Sequence, residues 1–168
     1  MEAKPGFVCA QCGTAHEGHP TDRGYTLPDD IWAIPESKRE TRAKFTTDLC
    51  EMAGRYFIRG ILLIPIVQRE DDFAWGVWAE FEHADFERYL EIYQANASGE
   101  PSMGGTLANV IPGYEDAANE RVLVKFGDSG DRPEFVLEPH SESSLAKDQR
   151  SGIDERRYHE MLVTAGAI

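Results

Sequence analysis

The sequence predicts an α+β fold: a mainly antiparallel sheet, built as a meander plus a hairpin, with two or three packed helices and an N-terminal arm resembling a zinc knuckle. Three observations lead there. Phe73, Trp75, Val77, Ala79 and Phe81 fall on one face of a strand, the two-residue period of a half-buried ribbon. Phe86, Tyr89, Leu90 and Tyr93 stand at i, i+3, i+4 and i+7, one apolar stripe of a helix. Arg121–Phe126 and Glu134–Glu138 flank Gly127-Asp128-Ser129-Gly130, a turn sequence between two apolar runs. Hairpin-linked strands with segregated helices define the α+β class.

The elements follow in order. Residues 1–27 are rich in Gly, Thr, His and Cys, show no periodicity, and read as an irregular arm with a turn at Cys9-Ala10-Gln11-Cys12-Gly13. Pro28 opens a short helix carrying Ile31 and Trp32, because proline suits a first helical turn. Pro35 opens a second charged turn or helix through Arg42. A three-stranded meander follows: Thr46–Met52, a turn at Ala53-Gly54, Tyr56–Val67, a polar turn at Arg69–Asp72, and Phe73–Phe81. A helix spans Ala84–Ala95, Asn96–Gly105 is a loop, and Thr106–Ile111 is a short strand or helical turn. Asp154 caps a final helix to Thr164, with Tyr158, Met161, Leu162 and Ala165 on its apolar side. With no repeat and no linker, 168 residues are expected to form one domain.

Composition excludes several partner classes. Hydrophobic residues make up 41% of the chain, enough for a core, so global disorder is not expected. The 17 Lys+Arg against 30 Asp+Glu give a net charge of −13, which repels phosphate backbones and anionic lipid surfaces. No nucleic acid and no membrane are expected; a basic protein partner suits the charge. The greasiest run, Phe57–Val67, is interrupted by Arg59 and Pro65 and falls far short of the roughly 20 residues a bilayer span needs. The start of the chain lacks the apolar core of a secretory signal. Three cysteines, an odd number, point to metal or thiol chemistry in the cytoplasm rather than to a disulfide framework.

The chemistry concentrates in Cys9-Ala10-Gln11-Cys12-Gly13-Thr14-Ala15-His16. Two thiolates three positions apart with glycine directly after resemble half of a zinc knuckle, the glycine letting the chain turn both sulfurs inward. Zinc takes four N/S ligands at tetrahedral corners, with Zn–S about 2.3 Å. Cys9 and Cys12 supply two, Cys50 a third if the arm folds over the meander, and His16 or His19 the fourth. His16, one short turn beyond the knuckle, is favoured, giving a structural Cys3His zinc that fastens the arm. Two other readings are metal-free core cysteines and a redox Cys-x-x-C; the latter wants a helix N-terminus that Gly13-Thr14-Ala15 does not offer. A catalytic zinc would need an open position, with Glu17 as the nearby base, and three thiolates would blunt its Lewis acidity.

Other positions read more plainly. No phosphate-binding loop, dinucleotide fingerprint, zincin helix or nucleophile elbow is present. Gly104-Gly105 reads as a loop hinge. Trp75 and Trp78 lie on opposite faces of one strand, so one is core and the other is helix-covered or lines a groove. Arg59, inside an apolar strand, reads as an edge or a paired core guanidinium. Glu115-Asp116 and Asp71-Asp72 read as solvated turn acids, and Asp148-Gln149-Arg150 as the capped, salt-bridged end of a helix. His83, His140 and His159 lack ligand spacing.

The order of the pieces resembles a bacterial family of uncharacterised proteins, domain of unknown function 2199, from about Phe7 to Leu162. The likeness rests on C-A-Q-C-G-T-A-H-E-G at 9–18, L-P-D-D-I-W at 27–32, D-L-C at 48–50 and F-I-R-G at 57–60. It continues with W-G-V-W at 75–78, F-E-R-Y-L at 86–90, L-A-N-V-I-P-G-Y at 107–114, R-P-E-F-V-L-E-P at 132–139 and L-A-K-D-Q-R-S-G-I at 145–153. Where that family usually shows His-Pro before the L-A-x-D-Q segment, this chain has Ser143-Ser144, so a role resting on that His does not carry over. The resemblance implies no activity; it places Cys9, Cys12, His16 and Cys50 in shared motifs. The function expected is an interaction module with a structural zinc site. The alternative is a small metal-dependent hydrolase or other enzyme with a polar pocket near Asn109, Tyr114 and Asp148.

Overall fold

Two long strands carry the architecture. The computed structural model describes residues 7–8, 15–16, 22–67, 72–93, 99–127 and 132–164. Its strands are β1 (Phe7–Val8), β2 (Ala15–His16), β3 (Asp22–Gly24), β4 (Lys44–Phe45), β5 (Leu49–Met52), β6 (Arg55–Pro65), β7 (Asp72–Phe81), β8 (Gly104–Leu107), β9 (Arg121–Lys125) and β10 (Glu134–Leu137). Five helices are described: α1 (Asp29–Trp32), α2 (Glu36–Arg42), α3 (His83–Ile92), α4 (Ser144–Ser151) and α5 (Glu155–Thr164). The fold is α+β with a mostly antiparallel sheet, as the sequence predicts.

β6 and β7 pair antiparallel over ten positions, from Tyr56↔Phe81 to Pro65↔Asp72. The chain then returns through β8, β9 and β10, each antiparallel to the strand before it. β10 finally meets β6 in a parallel pairing at Glu134↔Ile61, which closes five strands into a small barrel. The predicted alternation is borne out: Phe73, Trp75, Val77, Ala79 and Phe81 are all buried on the inner face, with Ile58, Leu62 and Ile64 of β6 beside them. Phe135 fills the middle. Its ring occupies the space above Gly60, where a Cβ would lie only 2.5–2.7 Å from three of its carbons. Gly105 makes the same allowance for Phe81, so the Gly104-Gly105 pair belongs to β8 and to packing, not to a loop hinge.

The other edges of β6 and β7 are divided between neighbours. β5 pairs with β6 from Leu49↔Ile58 to Met52↔Arg55, joined by the predicted turn at Ala53-Gly54. Both turn residues have positive φ, 49° and 78°, the conformation that a two-residue hairpin of matching twist demands. β3 lies parallel to β7 at Ala74–Gly76, so three residues assigned to the irregular arm add a strand to the sheet. Beneath this outer face a second, smaller core forms from Leu27, Ile31, Ala43, Cys50, Phe57 and Trp78. It explains why Phe57 and Trp78 break the two-residue rule: the ribbon is buried on both sides here, and both Trp75 and Trp78 are core.

The helices seal the barrel. α3 buries Phe86, Tyr89 and Ile92, whereas Leu90 and Tyr93 of the predicted stripe are exposed. The helix seats through Phe86 against Tyr56 and Tyr89 against Phe126, which turns Leu90 outward. α5 buries Tyr158, Met161 and Leu162 as expected, and Asp154 Oδ1 accepts from the Arg157 amide, confirming it as the cap. α4 occupies residues read as a helix end. Ser143 caps it, accepting from the Ala146 amide, and Ser144 bonds Asp116 through both its amide and its hydroxyl. Asp116 is exposed, as the sequence predicts, yet these two bonds hold it below the usual carboxylate range and make it a clamp on the start of α4. No helix among the described residues is long and apolar enough to cross a membrane.

Candidate functional site

The backbone around the knuckle motif pairs on itself. Phe7 faces His16 and Val8 faces Ala15, antiparallel, so the Cys-x-x-C-Gly segment connects two paired strands. Cys9, Cys12, Glu17 and His19 lie outside the described residues, and of His16 the backbone position alone is described. Cys50 is described: it sits on β5, paired with Phe45 and Phe57, 1% exposed in the small core. Burial, and then the Glu51 charge, push its thiol up to about 11. Among the described residues no three His, Cys, Asp or Glu side chains gather as a metal cluster. Leu27, the last residue of the arm, shares the small core with Cys50.

The segment following the arm is fastened by a buried amide. Asn109 is 1% exposed and fully satisfied. Its Oδ1 accepts from the Trp78 amide at 2.8 Å, and its Nδ2 donates to the Leu27 carbonyl at 3.0 Å and to Asp29 Oδ1 at 2.9 Å. Asp29 Oδ2 in turn accepts from the Val110 amide. The Trp78 indole donates to the Tyr25 carbonyl, and the Tyr25 hydroxyl donates to the Val110 carbonyl. Burial and the Asp29 charge push the Tyr25 phenol up to about 12. Asn109→Ala is expected to cost about 2 kcal/mol or more, because it strands the Trp78 amide and the Leu27 carbonyl. Urea unfolding would read this, and an unchanged midpoint would refute it.

Asn109, Tyr114 and Asp148 do not make one pocket. Tyr114 belongs to a different network: its hydroxyl donates to Asp148 Oδ2 at 2.7 Å, and Arg157 lies over its ring at 4.8 Å. Burial and the Asp148 contact raise the Tyr114 phenol well above its ordinary range. This network welds α4 and α5 to the barrel. The neighbouring Gln149 holds the seam between β6 and β10. Its Oε1 accepts from the Leu137 amide, and its Nε2 donates to the Phe135 and Leu63 carbonyls. Asp148-Gln149 lies in the last turn of α4, the salt-bridged helix end that the sequence predicts, with Asp148 ion-paired to Arg157 at 3.4 Å; Gln149 in addition splices the two strands. A helix bearing two polar residues does not announce the splice; the signal is the gap it fills.

Arg59 is not an edge residue, since β6 is paired on both sides there; among the described residues its guanidinium makes no ion pair, and its Nη1 donates to the Thr47 carbonyl at 3.5 Å. It lies flat over two glycines, and a Cβ at Gly24 or Gly76 would come within 2.8 or 3.3 Å of its Nη2. Its Nε is buried without a partner. Burial, then the charge of Arg132, lower its pKa against the pull of Asp48.

A family model described as "Uncharacterized protein conserved in bacteria (DUF2199)" matches residues 8–153, and the chain belongs to that family. No curated protein and no solved structure matches.

Proposed function

Membership of a bacterial family without an assigned activity leaves the chemistry of the arm to speak, and we propose a cytoplasmic protein-binding module whose arm is fastened by one structural zinc ion. Cys9, Cys12, His16 and Cys50 hold the ion. The observation that carries this reading is the pairing of Phe7–Val8 with Ala15–His16 on either side of Cys-x-x-C-Gly. The proximity of Leu27 to Cys50 supports the third cysteine, since the arm enters over the same small core. The partner is a basic protein, drawn by the charge of −13. That attraction weakens with salt, so binding that ignores ionic strength would argue against it.

Elemental analysis of protein purified without chelator is expected to show one zinc per chain, lost in Cys9→Ser and Cys12→Ser. Because the site does not exist in the unfolded chain, metal affinity adds directly to stability and both variants unfold at lower urea. Zinc-free wild-type protein would sink the reading.

Cys50 gives a second, separate readout. In metal-free protein its thiol is neutral and its folded pKa, about 11, lies above the ordinary 9.0. Its contribution is complete below pH 9 and disappears as pH rises through 11. Chelator-treated wild type is therefore expected to lose stability across that window relative to Cys50→Ala. Zinc-loaded protein, with the thiolate already formed, is not. A decline identical with and without zinc would remove Cys50 from the ligand set.

A further inference from the structure

β6 changes neighbours midway along one edge. Up to Arg59 that edge belongs to the β5 side, where the Arg59 amide donates to the Asp48 carbonyl. From Ile61 it belongs to β10, where the Ile61 amide donates to the Pro133 carbonyl. β10 makes one register pair with β6 and then diverges. On the outer face beside this fork lies a cavity of about 430 Å³, within the roughly 300–1,000 Å³ that small-molecule sites occupy.

Its walls are of two kinds. Ile61, Leu63 and Phe126 give an apolar floor, and Lys125 and Arg132 stand at its rim with Glu134. Arg132 is set by its Nε, which donates to Asp48 Oδ1 at 2.9 Å, while Asp48 Oδ2 takes the Tyr93 hydroxyl at 3.3 Å. The Nη groups of Arg132 and the ammonium of Lys125 have no partner among the described residues. Glu134 stands opposite Lys125 across the β9–β10 pair. Arg59 lies within electrostatic range of Arg132. Among the described lining residues two cations, Lys125 and Arg132, thus stand with one carboxylate, Glu134, leaving one positive charge on a chain whose net charge is −13.

We propose that this cavity binds an amphipathic organic monoanion, an aryl or alkyl carboxylate or sulfonate, with its charged group on Arg132 and Lys125 and its apolar body on Ile61, Leu63 and Phe126. The single surplus charge favours a monoanion over a polyphosphate, and the aliphatic floor favours a carbon body over an inorganic ion.

Anilinonaphthalene sulfonate is the probe, with fluorescence as the readout, on the full chain. Saturable binding at one site per chain is expected. Lys125→Gln, which removes no side-chain hydrogen bond or ion pair among the described residues, and Arg132→Gln are each expected to weaken it about fivefold or more, the loss of one charge-assisted contact. Arg156→Gln, which removes a cation from α5, is expected to bind like wild type. Phenylnaphthylamine, the same rings without the sulfonate, is expected to bind at least about tenfold more weakly. Circular dichroism of each variant separates loss of the site from loss of the fold. Absent or unsaturable binding, equal affinity for the uncharged rings, or a Lys125→Gln protein that is folded and binds like wild type would each overturn the assignment.

Discussion

Replacing Gly60 with alanine is expected to cost about 3 kcal/mol of stability, the upper range for overpacking a close-packed core. The new methyl would arrive 2.5–2.7 Å from three carbons of the Phe135 ring. That ring cannot retreat: it is fully buried, with Phe81 at 6.2 Å between ring centres, and its strand is held on both sides. The check is a double-mutant cycle in urea. Phe135→Leu alone leaves a void and destabilises. Combined with Gly60→Ala it should lose less than the sum of the two, because each change fills or empties the same space. Strict additivity would show that the ring and the glycine do not compete, contrary to the packing described.

Gln149→Leu is expected to cost a similar amount, about 3 kcal/mol, from a chemically different source. The substitution keeps the bulk of the side chain and strands three backbone groups: the Leu137 amide and the Leu63 and Phe135 carbonyls. An amide is the one neutral side-chain group that both accepts from the first and donates to the other two. Gln149→Glu supplies the contrast. Its protonated form still donates once, whereas the ionised form turns a carboxylate toward two carbonyls. The folded pKa of the introduced carboxyl is thereby raised, so the variant's deficit is smallest at low pH and grows as pH rises through that pKa. A deficit independent of pH, or Gln149→Leu as stable as wild type, would refute the splice.

Much of the fold was legible because period and punctuation are local. The inner face of β7 followed from five alternating residues, the β5–β6 turn from Ala53-Gly54, and the start of α5 from Asp154. What sequence reasoning missed was non-local. A period reports which side of a strand is buried; it does not report which distant strand lies alongside. The β6–β10 contact is one register pair, completed by a side chain from α4, and no window of residues contains it. Phe57 and Trp78 are buried on the face that alternation assigns to solvent, because a second core from residues 27–50 covers it. The Cys-x-x-C-Gly segment was legible as a motif, yet a motif fixes spacing and not convergence. Arg59 was noticed as odd in an apolar strand; its glycine shelf comes from two other strands and was invisible until they were brought together.

The parallel closure also dictates an order of assembly. β6 and β7 are adjacent in the chain and pair early at little entropic cost, whereas Ile61 meets Glu134 after a long intervening segment has been threaded round. During synthesis the upper half of β6 therefore waits with bare amides and carbonyls until β10 and Gln149 leave the ribosome. That interval is when a nascent chain is most prone to pair with its neighbour.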